Sequence, residues 1–139
     1  MEYRELDQNL TIASQIQPED LPGLKQAGFL TIVCNRPDGE GPDQPAFSEI
    51  EKEARRLGME AHYLPTVPQN VTDEQGAAFG ALFNELPKPM LGYCRTGRRT
   101  ATLWALSQAG KKSVPEILES ASRAGMDFSD LVPRITRKS

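Results

Sequence analysis

Between residues 29 and 109, short apolar runs alternate with helix-patterned segments, and this alternation restricts the chain more than any other feature of it. Phe29-Leu30-Thr31-Ile32-Val33-Cys34 is β-branched and apolar, the pattern of a fully buried strand. Phe47 to Leu57 sets Phe47, Ile50, Ala54 and Leu57 on one helical face, and Gly58 closes the segment. Met59 to Leu64 reads as a further core strand. Thr72 with Gln75 forms a capping box for a helix that buries Phe79, Leu82, Phe83 and Leu86. Pro87-Lys88-Pro89 breaks that helix. Met90-Leu91-Gly92-Tyr93 is a buried strand, and Ala101-Thr102-Leu103-Trp104-Ala105-Leu106 opens the next helix. Such alternation implies βαβ units and a mostly parallel central sheet flanked by helices, an α/β fold. In sheets of this kind ligands lie beyond the carboxyl ends of the strands. That rule gathers three loops on one rim: Asn35 to Pro45, Pro65 to Asn70, and Cys94 to Thr100.

The flanks fit around this frame. Tyr3 to Leu6 and Leu10 to Ala13 suggest an opening hairpin or two edge strands. Pro18, followed by Glu19 and Asp20, starts a helix that runs to about Ala27 and stops at Gly28. After Gly110, Ser113 and Glu116 make a second capping box, for a helix burying Ile117, Leu118 and Ala121 and ending at Gly125. Asp127 caps a last short helix. The basic tail from Arg134 to Lys138 reads as solvated. The 139 residues suit one domain spanning 1–139, with one sizeable core.

Charge and composition exclude several classes of function. A net charge of −3 and a pI near 5.2 argue against a nucleic-acid partner. No run approaches the ~20 apolar residues of a membrane span, and the N-terminus lacks the charged-then-apolar order of a signal peptide. Two cysteines make no disulfide framework, and one histidine with two separated cysteines makes no zinc pattern. No cofactor and no metal are expected. The expected location is the cytoplasm, where a thiolate stays reduced.

The chemistry concentrates in Tyr93-Cys94-Arg95-Thr96-Gly97-Arg98-Arg99-Thr100. A strand ends at Cys94 and a helix starts within a turn. A short loop of this kind turns backbone N–H groups inward, and the helix N-terminus adds partial positive charge. The result is an anion cup with a sulfur at its base, in a field that favours the thiolate. Cys94 is therefore the candidate nucleophile and Arg99 the candidate grip on an anionic substrate. Arg95, Thr96, Gly97, Arg98 and Thr100 complete the anion-binding loop. A cysteine at a strand end is more often a small buried hydrophobe, but the Gly and three arginines after it favour function. The arginines cannot all point inward, so Arg95 or Arg98 is solvated or paired with Asp38 or Glu40. Asp38 is a candidate catalytic acid, or with Glu40 a structural acceptor around Arg36. Arg36, Glu40 and Asn70 are candidate supporting residues. Cys34 is core, or else a resolving thiol for oxidised Cys94. His62 lies within a strand and Trp104 in the core.

Asn35-Arg36-Pro37-Asp38-Gly39-Glu40, the Gln44-Pro45 after it, and Cys94-Arg95-Thr96-Gly97-Arg98-Arg99-Thr100 followed by Ala-Thr-Leu-Trp-Ala-Leu resemble the phosphatase-like domain of beta-lactamase-hydrolase-like proteins (DUF442). The resemblance covers roughly the first four-fifths of the chain. It implies a fold similar to dual-specificity tyrosine phosphatases, and a sulfurtransferase role beside a persulfide dioxygenase.

Two features divide the chemistry that the resemblance leaves open. Phosphatases of the tyrosine type place five residues between Cys and Arg, whereas four separate Cys94 from Arg99. Cys-x-x-Gly-x-Arg resembles rhodanese-type sulfurtransferases, and a tighter cup suits a sulfur atom on Cys94 better than a tetrahedral phosphate. Phosphate monoester cleavage also needs an acid for the leaving group. By the resemblance that acid belongs on the loop Pro65 to Asn70, which has no carboxyl group. The leading expectation is thus a sulfurtransferase that forms a Cys94 persulfide from thiosulfate or a glutathione persulfide. The alternative is a phosphatase with a phosphocysteine intermediate on a phosphate monoester, and a third reading is a non-catalytic anion-binding module.

Overall fold

The computed structural model describes residues 2–136. Met1 and residues 137 to 139, which include Arg137 and Lys138 of the predicted basic tail, lie outside the described residues. In chain order the elements are β1 (Tyr3–Asp7), β2 (Leu10–Ala13), a 3-10 turn (Pro18–Asp20), α1 (Leu21–Gln26), β3 (Thr31–Cys34), α2 (Phe47–Arg56), β4 (Glu60–Tyr63), α3 (Asp73–Glu85), β5 (Met90–Tyr93), α4 (Arg98–Gln108), α5 (Val114–Arg123), a second 3-10 turn (Ser129–Leu131) and α6 (Val132–Thr136). The strands form one sheet in the order β1-β2-β5-β3-β4. β1 runs antiparallel to β2, and the remaining pairs are parallel. The α/β fold with a mostly parallel sheet is the one the alternation implies.

Side chains leave a strand with period two, so each buried strand feeds two cores. Ile32 and Cys34 of β3, with Leu91 and Tyr93 of β5, pack against Leu21 and Leu24 of α1 and Ile50 and Ala54 of α2. Val33 and Met90 face the other way, toward Phe79, Trp104, Ile117 and Ile135 of α3 to α6. Helix α4 is buried all round from Arg99 to Gln108, as a central helix must be. Its close approach depends on missing side chains. A Cβ at Gly76 of α3 would stand 2.8 Å from Leu106 Cβ, and one at Gly92 of β5 would overlap Thr100 Cγ2. This close seating fixes the start of α4 directly above the end of β5.

Both predicted capping boxes form. Thr72 Oγ1 accepts from Gln75 N at 3.1 Å, Ser113 Oγ accepts from Glu116 N at 3.2 Å, and each partner side chain returns the bond. Two expectations need correction, and one pair of alternatives is decided. Met59 to Leu64 contributes the edge strand β4, in which only Ala61 is buried, because α2 covers one face of it and no strand pairs beyond it. Of the two alternatives for the opening segment the hairpin forms, β1 pairing antiparallel with β2, and the two-edge-strand alternative fails, since β5 pairs along the free side of β2. The segment from Pro18 to Ala27 divides into a 3-10 turn and α1, with Pro22 early in α1. Among the described residues no helix is long and apolar enough to cross a membrane.

Candidate active site

The loop from Cys94 to Gly97 joins β5 to α4. Cys94 N donates to Ala13 O at 3.3 Å, extending the β2–β5 pairing by one residue. This fixes the buried Cys94 at the base of the loop. Gly97 has φ +93°, a left-handed conformation that suits glycine. The turn it makes aims Gly97 N–H at Cys94 Sγ, at 3.0 Å. Arg98 then begins α4. The backbone N–H groups of Arg95, Thr96 and Arg99 have no hydrogen-bond acceptor among the described residues. They lie at the start of a helix of 11 residues, whose N-terminal partial charge favours an anion there.

Arg99 is buried and held from one side. Its Nη1 donates to Glu40 Oε2 at 2.8 Å and to Thr66 O at 3.0 Å, and its Nη2 donates to Glu40 Oε1 at 2.9 Å. The bidentate pair fixes the guanidinium plane. Burial works against the Arg99 cation, and Glu40 and the nearby Cys94 more than offset it. Glu40 also accepts from Arg36 Nε at 3.1 Å, while Arg36 Nη1 donates to Gln15 Oε1 at 3.0 Å. Arg99 foremost, with Arg36, holds the Glu40 carboxyl below the usual range despite partial burial. Glu40 is thus a fixed anion and no proton donor.

Asn35 ties the rim together from below. Its N donates to Tyr93 O at 2.8 Å, its Nδ2 donates to Leu64 O at 3.0 Å, and its Oδ1 accepts from Thr100 Oγ1 at 2.7 Å. Thr66 N donates to Asn35 O at 3.0 Å. One buried side chain and its backbone therefore join the ends of β3, β4 and β5. The three loops assigned to one rim do converge, through Glu40, Thr66 and Arg99.

The other carboxylates near the rim are mostly engaged. Asp38 Oδ1 accepts from Phe47 N at 2.8 Å at the start of α2, and Asp38 N donates to Tyr63 Oη at 2.9 Å. The candidate acid Asp38 thus has one carboxylate oxygen engaged at a helix start, and among the described residues it forms no ion pair with Arg36. Asp73 accepts from Arg134 Nη2 at 2.7 Å, and Asp130 lies 3.6 Å from Arg98 Nη2. Arg98 also stacks its guanidinium 5.0 Å from the Phe128 ring. Glu74, exposed in the first turn of α3, has no partner among the described residues. Arg95 is exposed and likewise unpartnered. Asn70 is exposed, with its N donating to Val67 O at 3.2 Å.

Cys34 lies with Tyr93 in the core beneath α1 and α2. Its Sγ donates to Arg36 O at 3.2 Å, and burial pushes its pKa up to about 11. A thiol held protonated by burial is a weak nucleophile.

Two grooves flank the loop. The larger, about 690 Å³, is lined by Asn70, Asp73, Glu74, Arg95, Thr96, Arg98, Thr102 and Arg134 among others. The smaller, about 460 Å³, is lined by Arg36, Glu40, Gly41, Pro42 and Val67, and it shares Pro68, Gln69, Arg95 and Arg99 with the larger. Sequence reasoning missed Gln15, Thr66 and Arg134. Thr66 follows Pro65 in a rim loop, so the strand-end rule could have found it. Arg134, read as solvated, instead donates to Val71 O at 2.9 Å as well as to Asp73, and walls the larger groove. No local signal reveals that contact. Among the described residues no group of three or more His, Cys, Asp or Glu could hold a metal ion.

This arrangement matches a known set of proteins. Residues 2–111 match the family described as "Beta-lactamase hydrolase-like protein, phosphatase-like domain". The chain belongs to that family. A beta-lactamase hydrolase-like protein of Agrobacterium fabrum is 30% identical over 96% of this chain and 32% of its own length. The chain spans about a third of the length of the curated relatives it matches. A solved structure of a candidate phosphatase from Neisseria meningitidis is 32% identical, covers 96% of both chains and superposes with a TM-score of 0.85. Tk-PTP, at 17% identity and a TM-score of 0.74, covers 97% of this chain and 91% of its own. The phosphatase-like domain thus has a tyrosine-phosphatase-like fold, with its Cys94 loop at the rim.

Proposed function

We propose that the domain is a cysteine-dependent phosphatase acting on phosphate monoesters whose leaving groups depart as anions. The observation that carries this reading is the loop itself. A buried sulfur receives the Gly97 N–H, and unpartnered N–H groups and a clamped Arg99 stand around it. Such a cup binds the equatorial oxygens of a phosphoryl group by fixed donors, which is electrostatic stabilisation without reorganisation. In the first step the Cys94 thiolate attacks phosphorus, an S–P bond forms, and the P–O bond to the leaving group breaks. The leaving group keeps the bonding electron pair. In the second step water attacks phosphorus, the S–P bond breaks, and inorganic phosphate leaves the regenerated thiolate. Arg99 binds phosphoryl oxygens in both steps.

The carboxylates around the site limit its substrates. Asp38, Glu40, Asp73 and Asp130 are each engaged with helix N–H groups or arginines, which leaves no committed acid for the leaving oxygen. The test is a series of aryl phosphates of rising leaving-group basicity. Rates should fall steeply along the series. A flat dependence would mean that a side chain protonates the leaving group, with Glu74 the first to examine. No turnover of any member would remove the phosphatase reading.

Sulfur transfer is a second reading, favoured by the spacing of four residues between Cys94 and Arg99 and by the same lack of a committed acid. Here the Cys94 thiolate attacks the outer sulfur of thiosulfate or a glutathione persulfide. An S–S bond forms, and sulfite or glutathione thiolate leaves without needing a proton. Turnover of thiosulfate in the presence of an acceptor thiol, with aryl phosphates left intact, would favour this reading over the first. A cytoplasmic setting and a persulfide dioxygenase partner belong to it.

A further inference from the structure

Five arginines line the two grooves beside Cys94. Four of them are paired locally, against three carboxylates. Arg99 and Arg36 hold Glu40, Arg98 faces Asp130, and Arg134 holds Asp73. Arg95 is exposed and has no partner among the described residues, although it follows Cys94 directly and borders both grooves.

The two grooves differ in charge. In the larger, four arginines face Asp73, Glu74 and Asp130. In the smaller, Arg36, Arg95 and Arg99 face Glu40 alone. Arg36 lies almost buried there, and the Gly41 backbone packs so closely on it that a Cβ would stand 2.9 Å from Nη2. The positive excess of the smaller groove is therefore partly buried, where water screens it less. A single anion in the Cys94 loop engages Arg99 and the loop N–H groups and leaves Arg95 unused.

We propose that the smaller groove is a second anion subsite, in which Arg95 binds a further phosphate or carboxylate of a substrate that carries two acidic groups. This rests on the reading of the loop as the site for the first group, and it names the substrate class for that site. Specificity then comes from the distance between the two anionic groups, one over Cys94 and one beside Arg95. The exposed Val67 at the groove lip sets an apolar edge against the linker between them.

The test is a binding measurement that needs no turnover. Propylphosphonate and a propane bisphosphonate with one phosphonate at each end are titrated calorimetrically into the wild-type domain and into Arg95→Ala. The wild type should bind the bisphosphonate about tenfold more tightly than propylphosphonate, the gain expected of one charge-assisted contact. In Arg95→Ala the ratio should fall to near one. A wild-type ratio near one, or a ratio unchanged by Arg95→Ala, would overturn the subsite. Matching melting curves for the two proteins show that the fold is intact. If the bisphosphonate preference holds but no aryl phosphate turns over, the subsite stands and the phosphatase reading falls.

Discussion

Glu40→Gln is the substitution with the most legible consequences. In the wild type, Glu40 accepts two hydrogen bonds from Arg99 and one from Arg36. The Arg99 side chain is 8% exposed and that of Glu40 is 24% exposed. Replacing the carboxylate by an amide leaves a nearly buried guanidinium with only neutral acceptors, Thr66 O and the one oxygen the amide keeps, and turns an NH2 donor toward it. Breaking a fully buried pair in this way costs about 3–5 kcal/mol, and solvent reaching a quarter of Glu40 brings the expected loss to about 2–3 kcal/mol. Urea unfolding of wild type, Glu40→Gln, Arg99→Met and the double variant closes a double-mutant cycle, with an expected coupling of about 1–3 kcal/mol. The pH dependence carries the same information. The folded Glu40 carboxyl titrates below its unfolded value, so its stabilisation is present above the unfolded value and is lost as pH falls through the folded one. Wild type should therefore lose stability on that acid limb and Glu40→Gln should not. A coupling near zero, together with identical acid limbs, would refute the claim that Glu40 fixes Arg99.

Other substitutions probe the frame and the loop. Gly92→Ala puts a Cβ into Thr100 Cγ2, so it should lower stability by about 1–3 kcal/mol and displace the start of α4. Thermal melts with anion binding check it, and an unchanged melt would mean that the β5–α4 contact is loose. Arg99→Ala should weaken anion binding far more than Arg95→Ala does for a ligand with one acidic group, and equal losses would show that the wrong arginine has been assigned. Cys34→Ser should retain turnover and protection against oxidative inactivation, because the native thiol donates to Arg36 O inside the core. Faster irreversible inactivation by peroxide would restore the resolving-thiol reading.

How much of this was readable in the chain depends on the range of the interaction. Periodicity and punctuation are local, so the strand–helix alternation, both capping boxes and the helix stop at Gly28 were legible. The rim followed from one further rule, that parallel strands end together. It places Glu40 of the β3–α2 loop and Arg99 on the same rim, where they form an ion pair. Pairing order is not local. Nothing within Glu60–Tyr63 says that the strand lies at an edge, and nothing within Leu10–Ala13 says that β5 pairs beside it. Side-chain partners across long separations were the least legible. Asp38 looked like an acid because it sits in a rim loop, yet Phe47 N takes its carboxylate. Arg134 looked like part of a solvated tail, yet it reaches back to Val71 and Asp73 and walls the site.

Loop length shows how sequence and structure divide the labour. Counting residues from Cys94 to Arg99 distinguishes this loop from the tyrosine-phosphatase type. The count does not show that Gly97 bends its N–H onto the sulfur, nor that Asn35 locks Thr100 behind the loop. Those contacts make the cup rigid, and rigidity is what lets fixed donors select a developing charge.

The central claim is that Cys94 takes up the transferred group covalently. Wild type and Cys94→Ala should be mixed briefly with an aryl phosphate, quenched in acid and weighed as intact proteins, with a parallel arm in thiosulfate. The account predicts a gain of one phosphoryl group on Cys94 in the wild type and none in the variant. A gain of one sulfur in the thiosulfate arm, with no phosphoryl gain, would transfer the assignment to sulfur transfer. Full turnover by Cys94→Ala, or an adduct formed on it, would contradict the account outright.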